Sequence, residues 1–242
     1  MSSISETFSR RRLSRAVLSP ARRALRAVQH AAAGAASYGR TRPRDYRRYK
    51  VSDLLIAHRL TRRMTDGDAV LDVGCGNGHG LVELGMFRDL EKVGVDLAPP
   101  EDTGERLLPF DGTTLPFADA SFDVSLVCYV LHHLSAEHAK RLFAEVVRVT
   151  RRRVLVIEDS LSTFGWLYRL RNLAHRLDAD LEYAAVSPTY QAVGSEEMFL
   201  THAQWLAWLR ARGGVADVTL ESLERLEVYA HHTLFDVELS PR

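Results

Sequence analysis

The sequence predicts an α/β fold, a doubly wound and mostly parallel seven-stranded sheet closed by an antiparallel C-terminal hairpin. Three observations carry this expectation. Short apolar runs alternate with amphipathic helical segments from about residue 50 onward. A glycine-dense stretch, AVLDVGCGNGHG at 69–80, follows the first apolar run and sets Gly74, Gly76, Gly78 and Gly80 at alternate positions. Acids stand at the ends of three successive runs, Asp72, Asp96 and Asp111, which is where open α/β sheets bind their ligands.

The elements follow in order. VSDLLIAHRLTRRM, from residue 51, predicts an amphipathic helix with Leu54, Leu55, His58 and Leu60–Thr61 near one face, closing at TDGD. AVLDV at 69–73 is a short buried strand, and NGHGLVELGMF starts a helix after the glycine loop. KVGVD (92–96), ERLLPFD (105–111) and FDVSLVCYV (122–130) supply three further strands, the last almost continuously apolar, as buried parallel strands are. Ser135 is placed to cap a helix whose Ala139, Leu142, Phe143, Val146 and Val147 share one face. RRVLVIED (152–159) is the fifth strand, and Thr201 caps the helix HAQWLAWLRAR, which stops at Gly213–Gly214. Strands around 216–226 and 229–238 have too little chain between them for a crossover and so pair antiparallel.

Two stretches break the alternation. Nine residues, LAPPEDTGE, separate the second and third strands, so the crossover helix there is one turn or missing. Residues 160–200 form a long insertion with a helical stripe through Phe164, Leu167, Leu170, Ala174 and Leu177, of the length that lids and binding elements have.

Charge divides the chain in two. Residues 1–50 hold thirteen Arg or Lys against Glu6 and Asp45, whereas the remaining 192 residues hold nineteen bases and twenty-nine acids. The expected organisation is a basic, Arg- and Ala-rich N-terminal extension at 1–48, then one domain at 49–242 carrying the 160–200 insertion. The extension reads as a solvated tail, a targeting segment, or a basic helix in peripheral contact with an anionic membrane. No apolar run reaches the roughly 18 residues of a membrane span. Cys75 and Cys128 show no metal spacing and fit a reducing, cytoplasmic location, with no metal expected.

Glycine spacing then narrows the ligand. A dinucleotide loop reads G-x-G-x-x-G; counted from Gly74 and Gly76, its third glycine falls on His79. The pattern here is acid-x-G-x-G-x-G. Asp72 ahead of the loop is a poor neighbour for pyrophosphate and a good one for an ammonium group. Asp96, at the end of the second strand, is placed to accept hydrogen bonds from both hydroxyls of a ribose. The expected ligand is a nucleoside bearing a cationic, amino-acid-like arm.

VLDVGCGNG, VGVD, FDGTTLPFADASFDVSLVCYVLHHL and RRRVLVIED together resemble the successive motifs of class I S-adenosylmethionine-dependent methyltransferases. The likeness covers about residues 65–160 and is closest to the small-molecule branch that includes quinone-biosynthesis enzymes. It implies the Rossmann-like methyltransferase fold and S-adenosyl-L-methionine as cofactor. It further implies Gly74, Gly76 and Gly78 beside the methionine arm, Asp96 on the ribose and Leu97 beside the adenine. Asp111 would face the adenine amino group with Gly112 next to it, and Cys128 would line the methionine side.

Methyl transfer asks mainly for alignment, and for a base only where the acceptor atom must shed a proton. His133, after the fourth strand, is the expected base; Glu158, Asp159, His231 and His232 stand at other strand ends as weaker candidates. Tyr183 and Tyr190 read as shaping a lid and Tyr46 and Tyr49 as closing the pocket from the other side, with plain core packing the alternative for both pairs. The expected function is methyl transfer to a small, apolar or aromatic acceptor. The alternatives are a cofactor-binding protein without turnover and a nucleic-acid methyltransferase. CYVLHHL after the fourth strand differs from the N-P-P-aromatic sequence of base amino-methylases, and the acidic body shows no aromatic-studded basic groove, so no specific nucleic acid is expected as partner.

Overall fold

A computed structural model of the chain describes residues 46–99, 104–161, 198, 200–223 and 232–241. The basic extension, the insertion's helical stripe, Tyr183, Tyr190, His231 and the side chains of Tyr46, Tyr49 and Asp159 lie outside what is described.

Helix α1 (Tyr46–Thr61) leads to β1 (Ala69–Val73), α2 (His79–Phe87) and β2 (Glu91–Asp96). Strands β3 (Leu107–Pro109) and β4 (Phe122–Cys128) come next, then a single 3₁₀ turn (Leu131–His133), α3 (Ala136–Val149) and β5 (Thr150–Leu161). A two-residue strand, β6 (Leu200–Thr201), precedes α4 (His202–Arg210) and the closing strands β7 (Val215–Ser222) and β8 (His232–Leu239). The sheet runs β3-β2-β1-β4-β5-β8-β7, with β6 pairing only the far end of β5. β1 to β5 are mutually parallel where they touch, and β8 lies antiparallel between β5 and β7. This is the predicted seven-strand sheet; β6 is an addition that two residues of sequence did not announce.

Both faces of the sheet are covered, which is why β1 is buried at all five positions and shows no alternation. Leu71, Val73, Val127, Val154 and Val156 face α3 and α4. Val70, Val124, Leu126, Leu155 and Ile157 face α1 and α2. Ser135 accepts from the His138 amide at the start of α3, and all five residues of its predicted apolar face are buried. Thr201 and Gln204 form a reciprocal capping box at the start of α4, as that spacing allows.

Two expectations need correction. The buried residues of α1 and the turn after it are Ala57, Leu60, Thr61 and Met64. Leu55 is 42% exposed, and His58 faces outward, its ring edge on Phe87. The third strand is three residues, not seven: it lies at the sheet edge and ends on Pro109, whose missing N–H cannot extend a ladder. No helix follows β2 in the described residues 97–99 and 104–106, in keeping with the short connection.

The basic run Arg151–Arg153 lies at the amino-terminal edge of the sheet and is matched by acids. Arg151 and Arg152 meet Asp123, Arg152 also meets Asp68, and Arg153 reaches Asp236 at 2.7 Å. Arg59 and Arg63 of α1 and its following turn bond Glu221, and Arg63 also bonds Asp236.

Candidate active site

Strand order reverses between β1 and β4, and the candidate residues gather beyond the carboxyl ends of these two strands and their neighbours β2 and β5. Val95 O holds the glycine loop by accepting from the Gly74 amide (2.8 Å) and the Cys75 amide (3.1 Å). Gly74 has φ +76°, and a Cβ there would overlap Val130 Cγ2, so the loop and the segment after β4 are in direct contact. Gly76 has φ +53° with nothing within 4 Å of where its Cβ would stand. Its N–H donates to Asp96 Oδ2 at 2.8 Å. The backbone is therefore open toward a ligand at the point where it meets the β2 carboxylate.

Asp72 is buried in the sheet, with Oδ2 3.7 Å from the Cβ position of Gly80 at the start of α2. Burial first, and the Asp96 charge second, push its pKa up to about 7. No hydrogen bond or ion pair to this carboxylate is found among the described residues. A cationic group of a ligand is the partner that would restore its ordinary acidity. The site thus fits the ammonium-bearing nucleoside expected from the acid-x-G-x-G-x-G pattern. Burial also raises the Cys128 thiol, with smaller contributions from Asp72 and Glu158. Cys128 lies at the end of β4, and a thiol so raised stays protonated and unreactive.

Leu97 is 39% exposed, one of three large apolar side chains so placed among the described residues. Gly112 (φ +81°) stands against it: a Cβ there would approach Leu97 Cδ2 to 3.3 Å. His138 Nε2 of α3 bonds Gly112 O at 2.7 Å and anchors this loop. Asp111 is exposed, and its Oδ1 accepts from the Thr113 amide, the Thr113 hydroxyl and the Thr114 amide, which hold its carboxyl below the usual range. The same oxygen thus folds the turn, a local role that the Asp-Gly-Thr-Thr sequence makes readable.

The segment after β4, which carries the expected base His133, meets Glu158, one of the weaker candidates. Glu158 of β5 is fully buried; Oε1 accepts from the amides of Val130 (3.2 Å) and Leu131 (2.7 Å), and Oε2 lies 2.5 Å from His132 Nδ1. His132 is 4% exposed, and His133 is half-buried, its ring centroid 4.0 Å from that of His132. Adjacent histidines alternate sides on a strand, but the 3₁₀ turn brings both rings together. Tyr129, before the turn, has φ +60°, and its hydroxyl lies 3.0 Å from His232 Nδ1 of β8. Such backbone strain in a non-glycine residue marks a site that its surroundings over-determine. Nothing in the sequence around Tyr129 signals it, because the constraint comes from β8, 103 residues away.

Comparison with known proteins agrees with this geometry. A methyltransferase domain family model matches residues 71–157. Within those residues the chain is similar to methyltransferase domains. An Arabidopsis thaliana tRNA (carboxymethyluridine(34)-5-O)-methyltransferase is 34% identical over 36% of this chain and 22% of its own. A demethylmenaquinone methyltransferase of Renibacterium salmoninarum is 33% identical over 41% of this chain and 44% of its own. The chain thus spans less than half the length of these curated relatives. The crystal structure of a SAM-dependent methyltransferase from Methanosarcina mazei superposes with TM-score 0.54 at 19% identity, over 76% of this chain and 98% of that one, which bears on fold alone. The cofactor that this methyltransferase domain implies is S-adenosylmethionine.

Proposed function

We propose that the protein methylates a small, apolar or aromatic acceptor at an atom that loses a proton. The observation that carries this is the open Gly76 backbone, set between the Asp96 carboxylate and a buried Asp72 carboxylate that lacks a cation. When bound, S-adenosylmethionine supplies a methyl group on a positively charged sulfur, which keeps the bonding electron pair on transfer. Asp72 faces the ammonium group, and Gly74, Gly76 and Gly78 let the methionine arm approach the backbone. Asp96 takes the ribose hydroxyls, while Leu97, Asp111 and Gly112 border the adenine. Cys128 lines the methionine side.

The acceptor's proton passes to the histidine pair. His133 is the outer ring and the proposed contact with the acceptor. His132, held by Glu158, positions it and places a buried negative charge behind the developing imidazolium.

Calorimetric titration with S-adenosylhomocysteine tests the cofactor half: micromolar binding that falls at least tenfold in Asp96→Ala and Gly76→Val supports it. No binding at millimolar ligand would sink the reading. The proton half is tested by turnover: His133→Asn should cut it a hundredfold or more without loss of cofactor affinity. Loss in His132→Asn with His133→Asn active would assign the proton to the buried ring instead. The relative named for tRNA modification favours a second reading, an RNA acceptor. Against it, the Arg151–Arg153 run is engaged with acids. Incorporation of labelled methyl into total tRNA would decide for that alternative.

A further inference from the structure

Two non-glycine residues among those described take a left-handed backbone conformation. Ala120 (φ +51°) belongs to the turn before β4, and turn geometry accounts for it. Tyr129 (φ +60°) is a bulky residue directly after β4, at a position that a glycine would occupy without crowding its own carbonyl. Two bonds hold it there. Its N–H donates to Ile157 O of β5 at 2.8 Å, and its hydroxyl lies 3.0 Å from His232 Nδ1 of β8. The two rings meet edge-on, with centroids 4.7 Å apart. His232 in turn sits on fixed backbone: it pairs with Asp159 in the β5–β8 register, and its carbonyl accepts from the Leu223 amide at 2.9 Å.

The dihedral at Tyr129 sets the direction in which the chain leaves β4, and two contacts of the next residue depend on it. Val130 Cγ2 fills the space where a Cβ on Gly74 would stand. The Val130 amide donates to Glu158 Oε1 at 3.2 Å, and Glu158 Oε2 holds His132. One residue thus orients a side chain against the glycine loop and an amide toward the carboxylate beneath the histidine turn. Backbone strain at such a junction persists only where the surroundings over-determine it, and the His232 bond is the side-chain part of that restraint.

We propose that Tyr129 and His232 are a positioning pair that sets the glycine loop and the histidine turn together, acting through Val130 rather than on the reactants. This rests on the methyl-transfer reading above. The bond works in either neutral tautomer of His232: the phenol donates to a bare Nδ1, or an Nδ1–H donates to the phenol oxygen. Asparagine at 232 brings an amide close to the Nδ1 position and keeps the bond, whereas leucine fills the space and ends it. Tyr129→Phe keeps the ring packed and removes only the hydroxyl.

The experiment compares the full chain with Tyr129→Phe, His232→Leu and His232→Asn by calorimetric titration with S-adenosylhomocysteine. The same samples without ligand give Tm and the imidazole nitrogen resonances of His132 and His133. Tyr129→Phe and His232→Leu should each weaken the ligand about fivefold or more, the scale of one lost hydrogen bond felt at the site. Both should also shift the ring resonances of His132 and His133, which follow Val130 in the chain. His232→Asn should retain wild-type affinity. Wild-type affinity in Tyr129→Phe, or unmoved histidine resonances, overturns the pair. So does equal weakening in His232→Asn and His232→Leu, because the hydrogen bond is then not what matters. A Tm in Tyr129→Phe lowered to the assay temperature overturns it too, by showing that the hydroxyl holds the fold rather than the site. A wild-type chain that binds no S-adenosylhomocysteine overturns the methyl-transfer reading instead, and the histidine resonances in Tyr129→Phe still decide whether the pair sets the turn.

Discussion

Asp72 is a carboxylate placed where ordinary stability arguments would exclude one. Its pKa, pushed up to about 7 by burial and then by Asp96, means that the native chain holds a proton that the unfolded chain has released above about pH 4. The sign follows directly. The folded state binds more protons than the unfolded state between about pH 4 and pH 7, so stability falls as pH rises through that window. A bound ammonium group favours the carboxylate, so ligand affinity moves the opposite way and rises with pH up to about 7, by at most about tenfold per unit for one proton. Calorimetry of S-adenosylhomocysteine from pH 5.5 to 8 on wild type and Asp72→Asn checks both signs. The wild-type slope should vanish in the variant; a flat wild-type profile would remove Asp72 from the ligand's charge environment. That an acid precedes the glycines was legible in the sequence. Its raised pKa was not, because it depends first on burial within the packed sheet and then on the Asp96 charge brought near by the pairing of β1 with β2.

At the scale of elements, α3 does more than cover the sheet. Arg148, near its carboxyl end, donates to Glu145, to Asp119 and to the carbonyls of Leu115 and Phe117, while Glu145 accepts from the Leu115 amide. The Arg148 bonds hold the Glu145 carboxyl below its usual range. Through this network and the His138–Gly112 bond, one helix fixes most of the connection from β3 to β4, including the turn bordering the proposed adenine site. Arg148→Met keeps the aliphatic stem and removes the donors, and should cost about 2 kcal/mol, since several hydrogen bonds are lost from a partly exposed position. A denaturant midpoint lowered at constant m-value would show this. A change below about 0.5 kcal/mol would mean that the loop holds itself. The apolar stripe of α3 was readable from its spacing. Its polar contacts were not, because they join segments about 30 residues apart through a register that only the packed helix sets.

At the scale of the molecule, the site is assembled from the ends of β1, β2, β4 and β5, so a ligand bound there ties the centre of the sheet together. S-adenosylhomocysteine at a hundredfold excess over its Kd should stabilise the fold by about 2.7 kcal/mol. For a chain of this size that raises Tm by roughly 5–10 °C. Scanning fluorimetry over a ligand series reads it directly; a Tm indifferent to ligand would show that no such clamp exists. The sequence by itself determined the alternation of strands and helices, the caps at Ser135 and Thr201, the glycine loop and the acids at strand ends. These are written in local periodicity and in residues whose backbone preferences act within a few positions. Only the tertiary structure decided that Glu158 lies under His132 and that Tyr129 is held in a left-handed conformation beside His232. Those relations depend on strand order and register, in which a shift of one residue would turn every side chain to the opposite face.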